Sequence, residues 1–170
     1  MDDVVSLIEG EIPRLRRYAR YLVRDVDRAD DLVQDALVRA ISNLDKWQRG
    51  TNLRSWLFVI LRNVYINDLR KLRTSPAPAE LQDDDAAVGV CGGQEARQAM
   101  VEMERAFNQL SEEHREVLLL VAVEGLEYEE ASRVLDVPIG TVRSRLSRAR
   151  SALRDILQPS SGVGGKEWIL

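Results

Sequence analysis

The chain has one cysteine, Cys91, and one histidine, His114, in 170 residues. A single cysteine excludes an internal disulfide. A zinc site built from this chain alone would have to lean on carboxylates, which structural zinc sites rarely do, so neither metal nor cofactor is expected. The same shortage of nucleophiles and acid–base partners argues against an enzyme. Aromatic side chains are only 5% of the residues, so a core must come from Leu, Val, Ile and Ala. No stretch reaches the roughly 18 uninterrupted apolar residues of a membrane helix. The acidic opening MDDVVSLIEGEI lacks the basic start of a secretory signal, and a cytoplasmic location is expected.

Net charge is -4, which by itself does not announce a nucleic-acid partner. The charge is uneven, however. Residues 1–75 carry 14 basic and 11 acidic side chains, whereas residues 76–104 carry 1 and 7. Two short stretches are strongly basic: 49–73, with six basic and one acidic residue, and 141–154, with five arginines and no acid. Local basic faces, not the overall charge, govern contact with phosphates. For either stretch alone a merely solvated arginine face remains the alternative.

What the chain does have is helical periodicity. Leu15, Tyr18, Ala19 and Leu22 recur at helical spacing. So do Ala29, Leu32, Val33, Ala36, Leu37, Ala40, Ile41 and Leu44, behind Asp27 as the expected N-cap. A third run holds Leu53, Trp56, Leu57, Ile60, Leu61 and Val64. No alternation long enough for a strand is present. Residues 74–94, TSPAPAELQDDDAAVGVCGGQ, are too poor in apolar residues to fold alone and read as a flexible acidic linker. Helical spacing resumes with Ala96, Met100, Met103, Phe107 and Leu110, and Ser111 is a good N-cap for the next helix. The expected architecture is therefore all-α: an N-terminal domain over 1–73, the linker 74–94, a C-terminal helix-turn-helix domain over 95–158, and a Ser- and Gly-rich tail over 159–170.

The helix-turn-helix reading rests on a short helix around Tyr128, Ala131 and Leu135, the turn Asp136–Gly140, and a long helix from Thr141. At about 100° per residue, Val142, Leu146, Ala149 and Leu153 form a stripe that can pack on the first helix. Arg143, Ser144, Ser147 and Arg148 project from the other side, with Arg145 and Arg150 nearer the flanks. Gly140 and Thr141 open the helix, where backbone N–H groups can meet a phosphate. A recognition helix puts its N-terminal residues into the major groove, and the arginine fork matches two acceptors on a guanine edge.

The stretch Leu110–Leu157 then resembles the −35-binding domain of extracytoplasmic-function sigma factors of bacterial RNA polymerase. The resemblance is carried by Gly125, Leu126, Tyr128, Glu130, Ala131, Val137, Pro138, Gly140, Thr141, Val142, Arg143, Ser144, Arg145, Arg148, Ala149 and Arg150. Ser147 departs from it, since relatives often carry a bulkier residue there. Asp25–Trp47 is similar to the helix with which these factors grip the polymerase clamp, through Ala29, Asp31, Leu32, Val33, Gln34 and Asp35. Asp30, Asp31, Gln34 and Asp35 are the implied polymerase-binding residues. Thr51–Arg73 resembles the segment that binds and opens the −10 element, through Ser55, Trp56, Leu57, Ile60 and Asn63. It implies a flipped-base contact at Asn63, with basic support from Arg62, Arg70, Lys71 and Arg73. Trp56 reads as core and not as a stacking platform.

The family implies a specificity subunit, active in stress response, that binds core RNA polymerase and promoter DNA. It implies an anti-sigma protein holding the off state, no membrane insertion, and a monomer when free. The linker aspartates Asp83–Asp85 either mimic nucleic acid or act as a solubilising spacer. Cys91, among carboxylates, is a poor redox sensor, and the apolar end Trp168–Leu170 reads as an ordinary tail. Three rivals remain at this point: a DNA recombinase, a stand-alone repressor or activator, and a decoy that sequesters an anti-sigma protein.

Overall fold

The computed structural model describes residues 2–48, 50–74 and 94–158. The linker aspartates, Cys91 and the Trp168–Leu170 end lie outside them. The described residues form seven α-helices and no strand, so the protein is all-α.

Helix α1 (Asp2–Val23) runs through Pro13 and ends at Arg24, whose φ of 53° breaks the helical path. Helix α2 (Val26–Ser42) is capped two residues earlier than the sequence suggests. The side chain of Asp25, not Asp27, accepts the Arg28 N–H at 2.7 Å. Asp27 instead sits in the first turn, where its charge favours the helix dipole. A 3-10 turn at Leu44–Lys46 leads to α3 (Leu53–Thr74). These three helices pack together around Leu15, Tyr18, Ala29, Leu32, Leu57, Phe58 and Leu61. Trp56 is half-buried against this core, as its spacing predicts.

In the C-terminal half, α4 (Gln94–Asn108) precedes α5 (Glu112–Leu118). Ser111 caps α5 by accepting the His114 N–H, as expected. The chain then widens into a π turn, Leu119–Val123, closed by a Glu124 N–H to Leu119 C=O bond of 2.9 Å. Gly125 reverses direction with φ +70°, a conformation costly for any residue with a Cβ. Helix α6 (Tyr128–Leu135) starts on a capping box between Glu127 and Glu130 and stops at Asp136 in the left-handed region. Helix α7 (Ile139–Leu157) begins two residues earlier than the sequence reading. Val142, Leu146, Ala149 and Leu153 are its buried stripe, as the periodicity predicts.

The two halves are in contact. The apolar cluster is continuous across them, and α3 packs on α6. The Tyr21 ring on α1 meets Phe107 on α4 edge-on, with centroids 6.5 Å apart.

Candidate nucleic-acid interface

The turn between α6 and α7 fixes how α7 is presented. The Ser132 hydroxyl donates to the Val137 carbonyl at 2.5 Å, tying the end of α6 to the turn. With the apolar stripe of α7 inward, the residues opposite it are Ser144, Ser147, Arg148 and Ser151, all exposed. Arg143 and Arg145 flank them on either side. Arg143 is exposed and leans over the Tyr128 ring, 5.9 Å from its centroid, a favourable cation–π placement. Arg145 leans the other way and pairs with Glu113 of α5 at 2.7 Å. Ser144 donates to the Thr141 carbonyl at 3.0 Å. The Thr141 and Val142 N–H groups both bind the Pro138 carbonyl, and Pro138 supplies no side-chain cap. The outward donors of the helix start are therefore those of Ile139 and Gly140. A shallow groove beside this face is lined by Tyr128, Arg143, Ser147, Arg150 and Arg154. Arg154 extends the basic face one turn beyond the residues singled out by sequence.

On α3, Asn63 and Arg70 are exposed, and seven residues of spacing put them on one side of the helix. Lys71 lies off that side and pairs with Asp68 at 3.3 Å. Arg62 turns the opposite way, into the contact between the two halves, where its Nε donates to Glu116 at 3.0 Å. Burial works against the Arg62 charge, but the hydrogen bond and charge of Glu116, joined by Tyr18, together outweigh it and raise the guanidinium pKa.

Sequence reasoning passed over the groups around Arg62. Glu124 has no solvent exposure. It accepts two hydrogen bonds from Arg17, at 2.5 and 3.1 Å, and Arg14 stands 3.7 Å away. Arg54 donates to the Glu124 backbone carbonyl at 2.9 Å and to Glu11 at 2.8 Å. Glu116 also accepts the hydroxyl of Tyr18 at 2.7 Å. Tyr18 is fully buried, and burial, aided by Glu116, pushes its phenol well above the usual range. The available signal was the pair of carboxylates, Glu116 and Glu124, that bounds the apolar run of residues 117–123.

On α2, Asp30, Asp31, Gln34 and Asp35 are all exposed. Asp30 pairs with Arg16 at 3.2 Å. Asp31 and Asp35 line a cleft of about 150 Å³ with Val23, Tyr65, Leu69 and Leu72. Among the described residues, no group of three or more His, Cys, Asp or Glu is placed to hold a metal ion. No helix among them is long and apolar enough to cross a membrane.

Comparison with known proteins agrees with this geometry. Residues 8–62 match the Sigma2 domain of PhyR, and residues 100–153 match Sigma-70, region 4. The chain is 39% identical over 160 residues to the ECF RNA polymerase sigma factor EcfG of Rhodopseudomonas palustris, covering 92% of this chain and 83% of the relative. It is 34% identical over 150 residues to the ECF RNA polymerase sigma factor SigC of Mycobacterium tuberculosis, covering 87% and 80%. Among solved structures it is similar to the sigma factor RpoE of Bartonella quintana, crystallised with the anti-sigma factor NepR. That match has a TM-score of 0.73 and 32% identity, over 95% of this chain and all of the other.

Proposed function

The chain belongs to the extracytoplasmic-function sigma factors of bacterial RNA polymerase, and from that premise we propose how its residues divide the work of promoter-specific initiation. It is a non-enzymatic transcription initiation factor. Residues 1–73 dock on core polymerase and capture the −10 strand, residues 95–158 read the −35 element, and residues 74–94 connect them.

The observation that carries this reading is the exposed face of α7, set by a fully buried stripe on the other side. Arg143 and Arg148 read base edges there. Gly140, Thr141, Ser144 and Ser147 approach the backbone, and Arg150 and Arg154 extend the phosphate contacts. Arg145 joins them once its exposed partner Glu113 gives way, since an exposed ion pair holds little energy. Asn63 and Arg70 face the −10 strand, with Lys71 at the edge. Arg62 reaches DNA only when it leaves Glu116. Asp30, Asp31, Gln34 and Asp35 present a mixed acidic and apolar surface to the polymerase clamp. The factor acts in the cytoplasm, is monomeric when free, and is held off by an anti-sigma protein, as the co-crystallised relative is bound by NepR.

The test is run-off transcription with purified core polymerase on upstream fragments of the source genome. Discrete starts that depend on this protein support the reading, and aligning them yields both promoter elements. The N-terminal match to a PhyR domain keeps one other reading in view, a decoy that only sequesters an anti-sigma protein. Absence of protein-dependent starts, with binding to core polymerase and to an anti-sigma protein retained, would favour the decoy.

A further inference from the structure

Two carboxylates of the C-terminal half are buried, and promoter reading by α7 uses neither. Glu124 is completely enclosed and Glu116 nearly so. Among the described residues, the cations paired with these carboxylates come from the other half, Arg14 and Arg17 from α1 and Arg62 from α3, while Arg54 of α3 donates to the Glu124 backbone carbonyl. The π turn at Leu119–Val123 ends directly at Glu124. Such turns favour functional positions over stability. A buried ion pair is a weak source of stability compared with apolar packing, and its best-attested use is to set or switch a state.

The contact cannot survive promoter binding. Elements centred near −10 and −35 lie about 25 base pairs apart, or about 85 Å along the duplex. Helices bonded at 2.5–3.1 Å through Arg17–Glu124 and Arg62–Glu116 cannot read both elements at once. When the halves part, Arg17 and Arg62, on two adjoining helices, lose their carboxylates, while Arg14 and Arg54 stay beside Glu11 of their own half. Arg62 is the immediate neighbour of Asn63, so this surface adjoins the proposed −10 site. An arginine fork fits phosphate as well as carboxylate.

We propose that Arg17 and Arg62, flanked by Arg14 and Arg54, form a binding site for the phosphates of promoter DNA, which Glu116 and Glu124 occupy in the closed chain. The C-terminal half thus competes with DNA for the N-terminal half, and the free factor masks itself. The proposal rests on the sigma-factor reading and adds a regulation to it.

The test uses the full chain and a fluorescein-labelled 20-nucleotide single-stranded DNA of mixed sequence, read by anisotropy at low salt. A Glu116→Gln, Glu124→Gln variant should have a larger radius of gyration by X-ray scattering and bind at least about tenfold tighter. Adding Arg17→Ala and Arg62→Ala should cancel the gain. If the glutamine variant fails to fold, Phe107→Ala opens the contact through the Tyr21 ring without touching a charged group, and should give the same gain. An opened chain with unchanged DNA affinity would overturn the proposal. So would a gain that survives removal of the arginines, or an arginine variant that loses core-polymerase binding instead of DNA binding. Wild-type run-off transcription is measured alongside, so the sigma-factor reading stands or falls separately.

Discussion

One arginine cluster of this sigma factor lies between its two halves, and another lies along α7. In the first, Arg17 and Arg62 are bonded to carboxylates with little or no exposure. In the second, Arg143 and Arg148 are exposed, and Arg143 is steadied by an aromatic face. The side chain is the same, but its surroundings decide what it can do. A guanidinium committed to a buried carboxylate holds structure, because removing it strands a charge. One that faces water keeps its fork for a ligand. The two clusters should therefore respond oppositely to the same arginine-to-alanine change.

The largest expected effect is on the exposed cluster and is functional. Replacing Arg143 and Arg148 with alanine removes the two forks proposed to read bases, each expected to contribute about 1–3 kcal/mol. Promoter-directed run-off transcription should fall at least about 30-fold. The thermal midpoint should stay put, since both residues are at the surface. A large drop in midpoint would erase the contrast.

The mirror experiment is Arg17→Ala. It leaves the buried Glu124 carboxylate with the looser Arg14 contact, at 3.7 Å. Breaking a buried pair costs about 3–5 kcal/mol, and because Arg17 is half-exposed about 2 kcal/mol is the expected loss. Chemical denaturation should show it, while Arg148→Ala should change stability by less than about 0.5 kcal/mol. Equal losses in the two variants would mean that burial does not separate the clusters.

These clusters also show what was legible beforehand. The helices, the buried stripe of α7 and the Ser111 cap follow from spacing and residue chemistry, because local geometry dictates them. The exposed arginines of α7 follow as well, since whatever is opposite an apolar stripe must face out. The family resemblance assigns Arg62 to DNA, and a place at the flank of the α7 stripe assigns Arg145, yet both are ion-paired here. Glu116 and Glu124 were passed over entirely. Their partners lie 54 to 107 residues away, and no local rule reports such a contact. The cap of α2 failed on a smaller scale. Asp25 and Asp27 are both plausible by residue type, and only the backbone separates them. Asp25→Ala should cost about 1 kcal/mol, and Asp27→Ala should stay within about 0.5 kcal/mol.

The smallest expected effect is invisible near neutrality and sharpens the comparison at its limit. The buried contact contains Tyr18 and borders Tyr21, and burial raises both phenols above their usual range. An unfolded tyrosine ionises near pH 10. Below about pH 9 both states hold their phenolic protons, so these groups add no pH dependence. Above about pH 10 the unfolded chain releases protons that the folded chain keeps, and stability must fall as pH rises. Denaturation midpoints should thus be level up to about pH 9 and decline beyond about pH 10, with a shallower decline in Tyr18→Phe. Because arginine stays charged throughout this range, the α7 face should keep its charge where the interdomain contact weakens. Alkali should loosen the closed state before it touches the recognition helix. Cross-domain fluorescence transfer that fell no earlier than α7 helicity would show that the tyrosines do not set the limit of the closed state.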